Sequence, residues 1–570
     1  MLFDLHCHAA FKPANSKGAN GQIPDIDMWN ERKKQGISDA DLIKESFIYT
    51  SQSHFNALTE GNVRVVCNCL YALERQFTVP EGWIGWANNL TAKLTGFDIT
   101  RINEIRDRKK SYFKELEREY DILKKNRAHT QFSAKGNSYV MVNSVDELKN
   151  ELNKSSDTLC FINTVEGIHC FAEDLYTPSG EYIPIKPEQR KNSALYKEFL
   201  KRTCRNIQQS KEWEHPPFFI TLAHHFYNFF FGHSLSFPAI QNGFAPLPNG
   251  QEISYFYLGI YPYGKEVLST MLGKYNSENK PVRRILPDCK HLNPQGRMEY
   301  YDYIRPLKNT PDEIPVIHSH TAISGRKKLK RSIENSYKLL DDEKSEFYNQ
   351  DHINLYDEDI VETVNSDGII GIMLDDKRII GDKLPPECNL TKKQFKEKRE
   401  ELTLVYNECS KQRSIIQNPN SSQEEKNNAY IILTAFTQKA ENKRNEITLI
   451  YGAVILRQFF RVAELCGEKG WNHVCIGTDY DGVINPADIY SQADKLKYLW
   501  ADLEKAWIYY KNSIGGVYSY CLFGKTPAHF IEKITLTNGL NFLEKYFHDE
   551  FLINGKKGIP NENNLHNLIA

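Results

Sequence analysis

Eight short apolar runs, each separated from the next by a segment long enough for a helix, constrain this chain more than any other feature. They are Leu2–His8, Val63–Leu70, Thr158–Glu166, Pro217–His225, Arg284–His291, Ile314–His320, Gly368–Leu374 and His473–Asp479. A run that is apolar throughout, rather than at alternate positions, reads as a strand buried on both faces. Such strands are parallel, and parallel neighbours need a long crossover, usually a helix. In many of the runs the apolar part comes first and a reactive residue closes it: Glu166, His224, His291, His320 and Asp479 all sit at such ends. In a (β/α)8 barrel the C-terminal strand ends surround the active site. The pattern predicts an α/β fold, a (β/α)8 TIM-type barrel with large helical insertions.

A barrel of this kind needs about 250 residues, and this chain has 570. We read residues 1–570 as one barrel with insertions at approximately 75–157 and 377–450. The second reads as a helical hairpin, broken by Gln417-Asn418-Pro419-Asn420-Ser421-Ser422. Proline and asparagine end a helix there. The charge density of the hairpin is most simply a solvated face; a lid or a homodimer contact are the other readings. With a net charge of −1, no global field favours nucleic acid or a membrane surface. No apolar stretch is long enough to span a bilayer, and no basic-then-apolar leader precedes the first run. The 12 cysteines include no CxxC pair, which gives no support to a structural zinc knuckle. A cytoplasmic location is the expectation.

The closing residues form a constellation. His6 and His8 are spaced i, i+2, so an extended strand puts both imidazoles on one face. Glu166, His291, His320 and Asp479 would join them at the barrel mouth. Four histidines, a glutamate and an aspartate make a donor set for two divalent ions; imidazole with carboxylate suits zinc, and also manganese, iron or cobalt. Glu166 is placed to bridge the pair with its two oxygens. Bound zinc lowers the pKa of water to about 7, and Asp479 would carry the proton to the leaving amine as general acid/base. Asp481 reads as a supporting residue. His318 reads as a core histidine, and His169 and His225 as loop histidines. Lys290 could in principle form a carbamylated bridge, but Glu166 already provides one. The run Phe226-Tyr227-Asn228-Phe229-Phe230-Phe231 reads as packing or as a pocket wall.

These segments together resemble the membrane (renal-type) dipeptidases, a branch of the metal-dependent amidohydrolases. The resembling motifs are Glu166-Gly167, Thr221-Leu222-Ala223-His224, Asp288-Cys289-Lys290-His291, Ser319-His320-Thr321-Ala322, Gly477-Thr478-Asp479-Tyr480-Asp481-Gly482 and the late Asn538–Phe542 segment. The resemblance runs discontinuously from Leu2 to about Phe542. It implies a (β/α)8 barrel, a binuclear zinc site bridged by Glu166, and a substrate-binding role for His224. It also implies a carboxylate-binding arginine after the sixth strand, for which Arg326 and Arg331 compete. His233 joins them as a candidate pocket residue. One departure is marked: His8 stands where the family usually has an aspartate, which removes a negative charge from the site.

The expected function is hydrolysis of a small amide, most simply a dipeptide, by hydroxide activated at two metal ions. His6, His8 and Glu166 would hold one ion and Glu166, His291 and His320 the other. The same hydroxide would serve a lactone or phosphoester hydrolase. A non-catalytic metal- or ligand-binding barrel is the third reading.

Overall fold

All six residues of Leu2–Cys7, all eight of Val63–Leu70 and all eight of Thr158–Val165 are buried. Burial on both faces commits such segments to a parallel sheet covered by helices. The computed structural model describes residues 1–15, 26–30, 51–78, 97–126, 133–183, 193–236, 258–276, 278–329 and 345–560. Its main sheet contains β1 (Leu2–Cys7), β2 (Val63–Leu70), β3 (Thr158–Val165), β4 (Phe219–Thr221), β5 (Leu286–Asp288), β6 (Ile317–Thr321), β7 (Ile369–Ile372) and β8 (Val474–Ile476). Each pairs in parallel with the next. All eight expected runs are strands, and they form the barrel.

The barrel closes where β8 returns to β1. Cys7 bridges Tyr480 in parallel, the His8 amide donates to the Tyr480 carbonyl at 2.9 Å, and the Asp479 amide donates to the His6 carbonyl at 2.9 Å. The seam is fastened from inside by Asp4, which is 1% exposed. Its carboxylate accepts the Thr478 amide at 2.9 Å, the Thr478 hydroxyl at 2.6 Å and the His6 amide at 3.2 Å. Burial pushes this carboxyl up to about 6, against the pull of those donors. From the other side, Asn538 donates to the carbonyls of Trp471 at 2.6 Å and Val474 at 2.7 Å. The adjacent Gly539 lies against the Phe3 ring, where an added Cβ would stand 2.1 Å from the ring. The Asn538–Phe542 segment thus packs on the closing strands.

Four helices carry the elaborations: α1 (Tyr112–Lys125), α2 (Ala194–Lys211), α3 (Lys392–Gln417) and α4 (Gln423–Cys466). α3 and α4 each begin with a reciprocal cap, Thr391 with Gln394 and Ser422 with Glu425. They form the hairpin that the sequence suggests. α4 continues past Ile450, because Tyr451-Gly452-Ala453-Val454-Ile455-Leu456 is buried against the barrel. One strand of the main sheet was not expected, beside a small separate hairpin of Leu175–Tyr176 with Tyr182–Ile183. Ser138–Met141, inside the segment read as an insertion, pairs with the first half of β3, while β4 takes the end of the same edge at Val165. Its four residues are too few for periodicity to separate from a loop. Among the described residues no helix is long and apolar enough to cross a membrane.

Replacing Asp4 by Ala strands three buried donors in the closing seam. We expect a loss of about 3 kcal/mol, read as a lower midpoint in chemical denaturation, with Thr478→Val showing a smaller loss of the same sign.

Candidate metal centre

Strand alternation turns Leu5 and Cys7 into the apolar core and His6 and His8 to the opposite face. The barrel then brings five further strand ends to the same point. The Nε2 atoms of His6 and His8 lie 3.2 Å apart. Glu166 stands among the rings. Its Oε2 is 3.0 Å from His8 Nε2 and 3.3 Å from His224 Nε2. Its Oε1 is 3.1 Å from His291 Nε2, 3.3 Å from His320 Nε2 and 3.7 Å from His6 Nε2. The His291 and His320 Nε2 atoms are 3.2 Å apart. Asp479 Oδ1 is 3.5 Å from His8 and 3.7 Å from His6, and its Oδ2 is 3.9 Å from His320. All seven residues are buried.

Two of these residues adopt left-handed backbone conformations, His291 at φ 67° and Asp479 at φ 59°; Asp481 and Val483 follow at 67° and 63°. A β-branched residue at positive φ is an outlier. Such strain costs about 1–3 kcal/mol per residue and persists only where surrounding packing over-determines it. Here it turns the chain beyond β5 and β8 so that side chains reach back over the barrel mouth.

Electrostatics prepare the rings as ligands. Burial, reinforced by the neighbouring rings, holds His6 and His291 well below the ordinary imidazole value, and burial takes His320 to about 3. A neutral imidazole is the metal-binding form. Burial works against charge on Glu166, yet His224, by its charge and its hydrogen bond, and the neighbouring rings hold it well below the usual carboxylate range. Burial and the nearby Glu166 raise Asp479. Ser319 orients one ring: its hydroxyl donates to Asp288 Oδ2 at 2.5 Å, so its oxygen accepts from His320 Nδ1 at 2.9 Å and leaves Nε2 facing the cluster. The Nδ1 atoms of His6 and His8 are buried without a hydrogen-bond partner. Neutral rings meeting through their Nε2 atoms around one carboxylate fit a cation better than they fit each other. Four overlapping donor groups reflect this: His6, His8, Cys69 and Glu166; Glu166, His291 and His320; His6, His320 and Asp479; and His224, His225 and His291.

The structure adds a residue that the apolar runs do not mark. Glu74, four residues beyond β2, accepts His224 Nδ1 at 2.6 Å. It also accepts the Tyr71 hydroxyl at 3.0 Å and the Phe226 amide at 3.2 Å. The Tyr71 ring packs edge-on against His224 with centroids 4.8 Å apart. Burial opposes charge on His224, but Glu166 and Glu74 carry its pKa up to about 10. A signal existed in Tyr71-x-x-Glu74 at the end of the second strand, but Glu74 lies beyond the apolar run, in a loop whose path no periodicity predicts.

Other candidates are placed elsewhere. Asp481 binds Lys12 at 2.8 Å and accepts the Ser53 hydroxyl at 2.6 Å and the Gln52 amide at 2.9 Å, which anchors the entry to the Phe55–Glu60 helix. His318 meets the Tyr301 hydroxyl at 3.1 Å, and His169 meets the Ala72 carbonyl at 2.8 Å. His225 lies beside His224 with ring centroids 3.9 Å apart. Burial lowers buried Lys290 to about 7. The backbone of His233 bridges Leu292, next to His291. Arg326 donates from Nε to the Gln350 carbonyl at 2.9 Å, and its Nη2 is buried without a hydrogen-bond partner. Arg331 lies outside the described residues.

Fold and site thus define a (β/α)8 barrel with a candidate metal centre at its C-terminal mouth. No family model matches the chain, and no curated protein matches it. Solved structures do. A metallo peptidase from Rhodobacter sphaeroides, liganded with a phosphinate mimic of the dipeptide L-Ala-D-Ala, is 11% identical, with 96% of this chain and 99% of that chain covered and a TM-score of 0.43. The dipeptidase AC, a metallo peptidase, is 11% identical over 96% and 98% of the two chains, with a TM-score of 0.40. The probable dipeptidase PvdM from Pseudomonas aeruginosa is 11% identical over 86% and 88%, with a TM-score of 0.38.

If the cluster is built for cations, metal-stripped protein gains stability on adding zinc, by about 2.7 kcal/mol at a hundredfold excess over Kd. The measurement is the thermal midpoint with and without metal. Glu166→Gln, which removes the central charge, should shrink the gain.

Proposed function

We propose that this chain is a metal-dependent hydrolase of small amides, most simply a dipeptidase, working with two divalent ions that we take to be zinc. The observation that carries the reading is the convergence of His6, His8, Glu166, His291 and His320, with Asp479 at their rim, within 3.0–3.5 Å of their nearest neighbours in one buried cluster. In this reading His6, His8 and Glu166 hold one ion, and Glu166, His291 and His320 the other. The bound pair supplies the Lewis acidity that makes water a nucleophile near neutral pH.

The chain's own residues do the rest. Asp479, beside both ligand groups, takes the proton of the attacking water and delivers it to the leaving nitrogen. His224 points Nε2 into the cluster and serves the substrate's carbonyl oxygen, donating where negative charge develops. Glu74 fixes that ring: it accepts from Nδ1 and, together with Glu166, favours the doubly protonated imidazole, so Nε2 also carries a hydrogen to donate on the substrate side. The buried, unpartnered Nη2 of Arg326 supports a carboxylate-binding role for this arginine, shared with Arg331, and His233 remains a pocket candidate. Burial of the rings strengthens each of these electrostatic contacts.

Elemental analysis of purified protein should find two ions per chain, and turnover should appear on a dipeptide panel and vanish with a chelator. Turnover confined to lactones or phosphoesters in the same screen would replace the amide reading. Asp479→Asn should lower kcat by about 10²–10⁴-fold with both ions retained. Glu74→Gln, which keeps an acceptor but loses the charge, should cost about 10–100-fold in kcat with little change in metal content; an unchanged kcat would remove Glu74 from the mechanism.

A further inference from the structure

Resting on the metal-centre reading above, we propose that Cys69 is a sulfur ligand of the ion held by His6, His8 and Glu166. Cys69 lies next to the last residue of β2, the one strand of the first three that otherwise supplies no donor to the cluster. Its Sγ and one donor atom each from His6, His8 and Glu166 all lie within 4.8 Å of one another, and all four residues are buried. Its surroundings set it apart. Cys67, two residues earlier and on the same face of the strand, belongs to the continuous apolar core, whereas Cys69, equally buried, does not. The Cys69 thiol makes a long contact of 3.9 Å with the Leu70 carbonyl and meets the Thr164 hydroxyl, neither of which prevents its sulfur from taking a cation through another lone pair.

Coordination chemistry and charge both favour the assignment. Two imidazoles, a thiolate and a carboxylate complete a tetrahedral set of the kind zinc adopts. Bonds of about 2.0–2.3 Å put such ligand atoms roughly 3.5 Å apart, so drawing the four donors together around an ion asks for side-chain adjustments of about 1 Å. Two dications bring four positive charges to a buried cluster whose only carboxylates among the described residues are Glu166 and Asp479, since Glu74 faces the far nitrogen of His224. A thiolate reduces that excess. The thiol proton leaves to solvent as the ion enters. A sulfur donor also biases this position toward zinc or cobalt over manganese or magnesium.

X-ray absorption on the full chain loaded with two equivalents of zinc tests this. We expect a sulfur shell at about 2.3 Å beside the nitrogen and oxygen shell. It should vanish in Cys69→Ser and persist in Cys67→Ser. Cys69→Ser should also bind zinc at least about tenfold more weakly in competition with a chelator, since even outer partners of ligands are worth that much. The cobalt-loaded protein should lose its near-ultraviolet sulfur-to-metal charge-transfer band in the same variant. Matching thermal midpoints of metal-free wild type and variant separate ligation from misfolding. Bound zinc with nitrogen and oxygen neighbours alone, or a sulfur shell that survives Cys69→Ser, overturns Cys69 and leaves the centre standing. A chain that takes up no zinc overturns both.

Discussion

The Glu166 carboxylate is the contact on which the site depends. It lies on an axis shared by four imidazoles and His224, out of water, where a single negative charge acts with little screening. The Nε2 atoms of His6 and His8, and of His291 and His320, face one another at 3.2 Å, where one ring of each pair can donate to the other only by giving up its own Nε2 lone pair. Burial keeps His6, His291 and His320 uncharged, whereas on His8 burial is outweighed by Glu166, which raises that ring. A cluster of this kind is poised for cations, because only a positive centre satisfies all the lone pairs at once.

Holding that cluster is the work of other buried carboxylates. Asp4 fastens β1 to the chain after β8, Asp288 gathers Thr221, Ser319 and the Lys290 amide, and Asp481 secures Lys12, Gln52 and Ser53. None of the three faces the rings. Their donors are mostly backbone amides and short hydroxyls, which is how burial of a carboxylate becomes tolerable. Strain at His291 and Asp479 is carried by this scaffold. The division is clear in the structure: one set of acids fixes the strand ends, while Glu166, Asp479 and Glu74 address the rings.

The parts legible in the sequence are those where one residue's environment follows from its own strand. His6 and His8 share a face because strands alternate, and Glu166, His320 and Asp479 end apolar runs. The resemblance to the dipeptidases supplied His224 and the pairing of His291 with His320. What escaped notice depends on neighbours distant in the chain. Glu74 matters because it meets His224, 150 residues away. Cys69 looks like any small apolar residue of a buried strand until β1 and β3 pack beside it. Ser138–Met141 is a strand only because the first half of β3 has a free edge there. Asp481 and Asp479 share one short motif, yet a turn at Gly482 sends one to the ring cluster and the other to Lys12.

The sequence by itself determined the barrel and most of the donors, since continuous apolar runs allow few strand arrangements other than a parallel sheet wrapped by helices, and polar residues closing those runs have one common place to go. Tertiary structure alone decided which acids tie the strand ends and which face the rings, and which nitrogen of each ring is presented. Those choices rest on distances of about 3 Å between residues tens to hundreds of positions apart, set by closure of the barrel and by the loop paths at its mouth, and no local pattern in the chain encodes them.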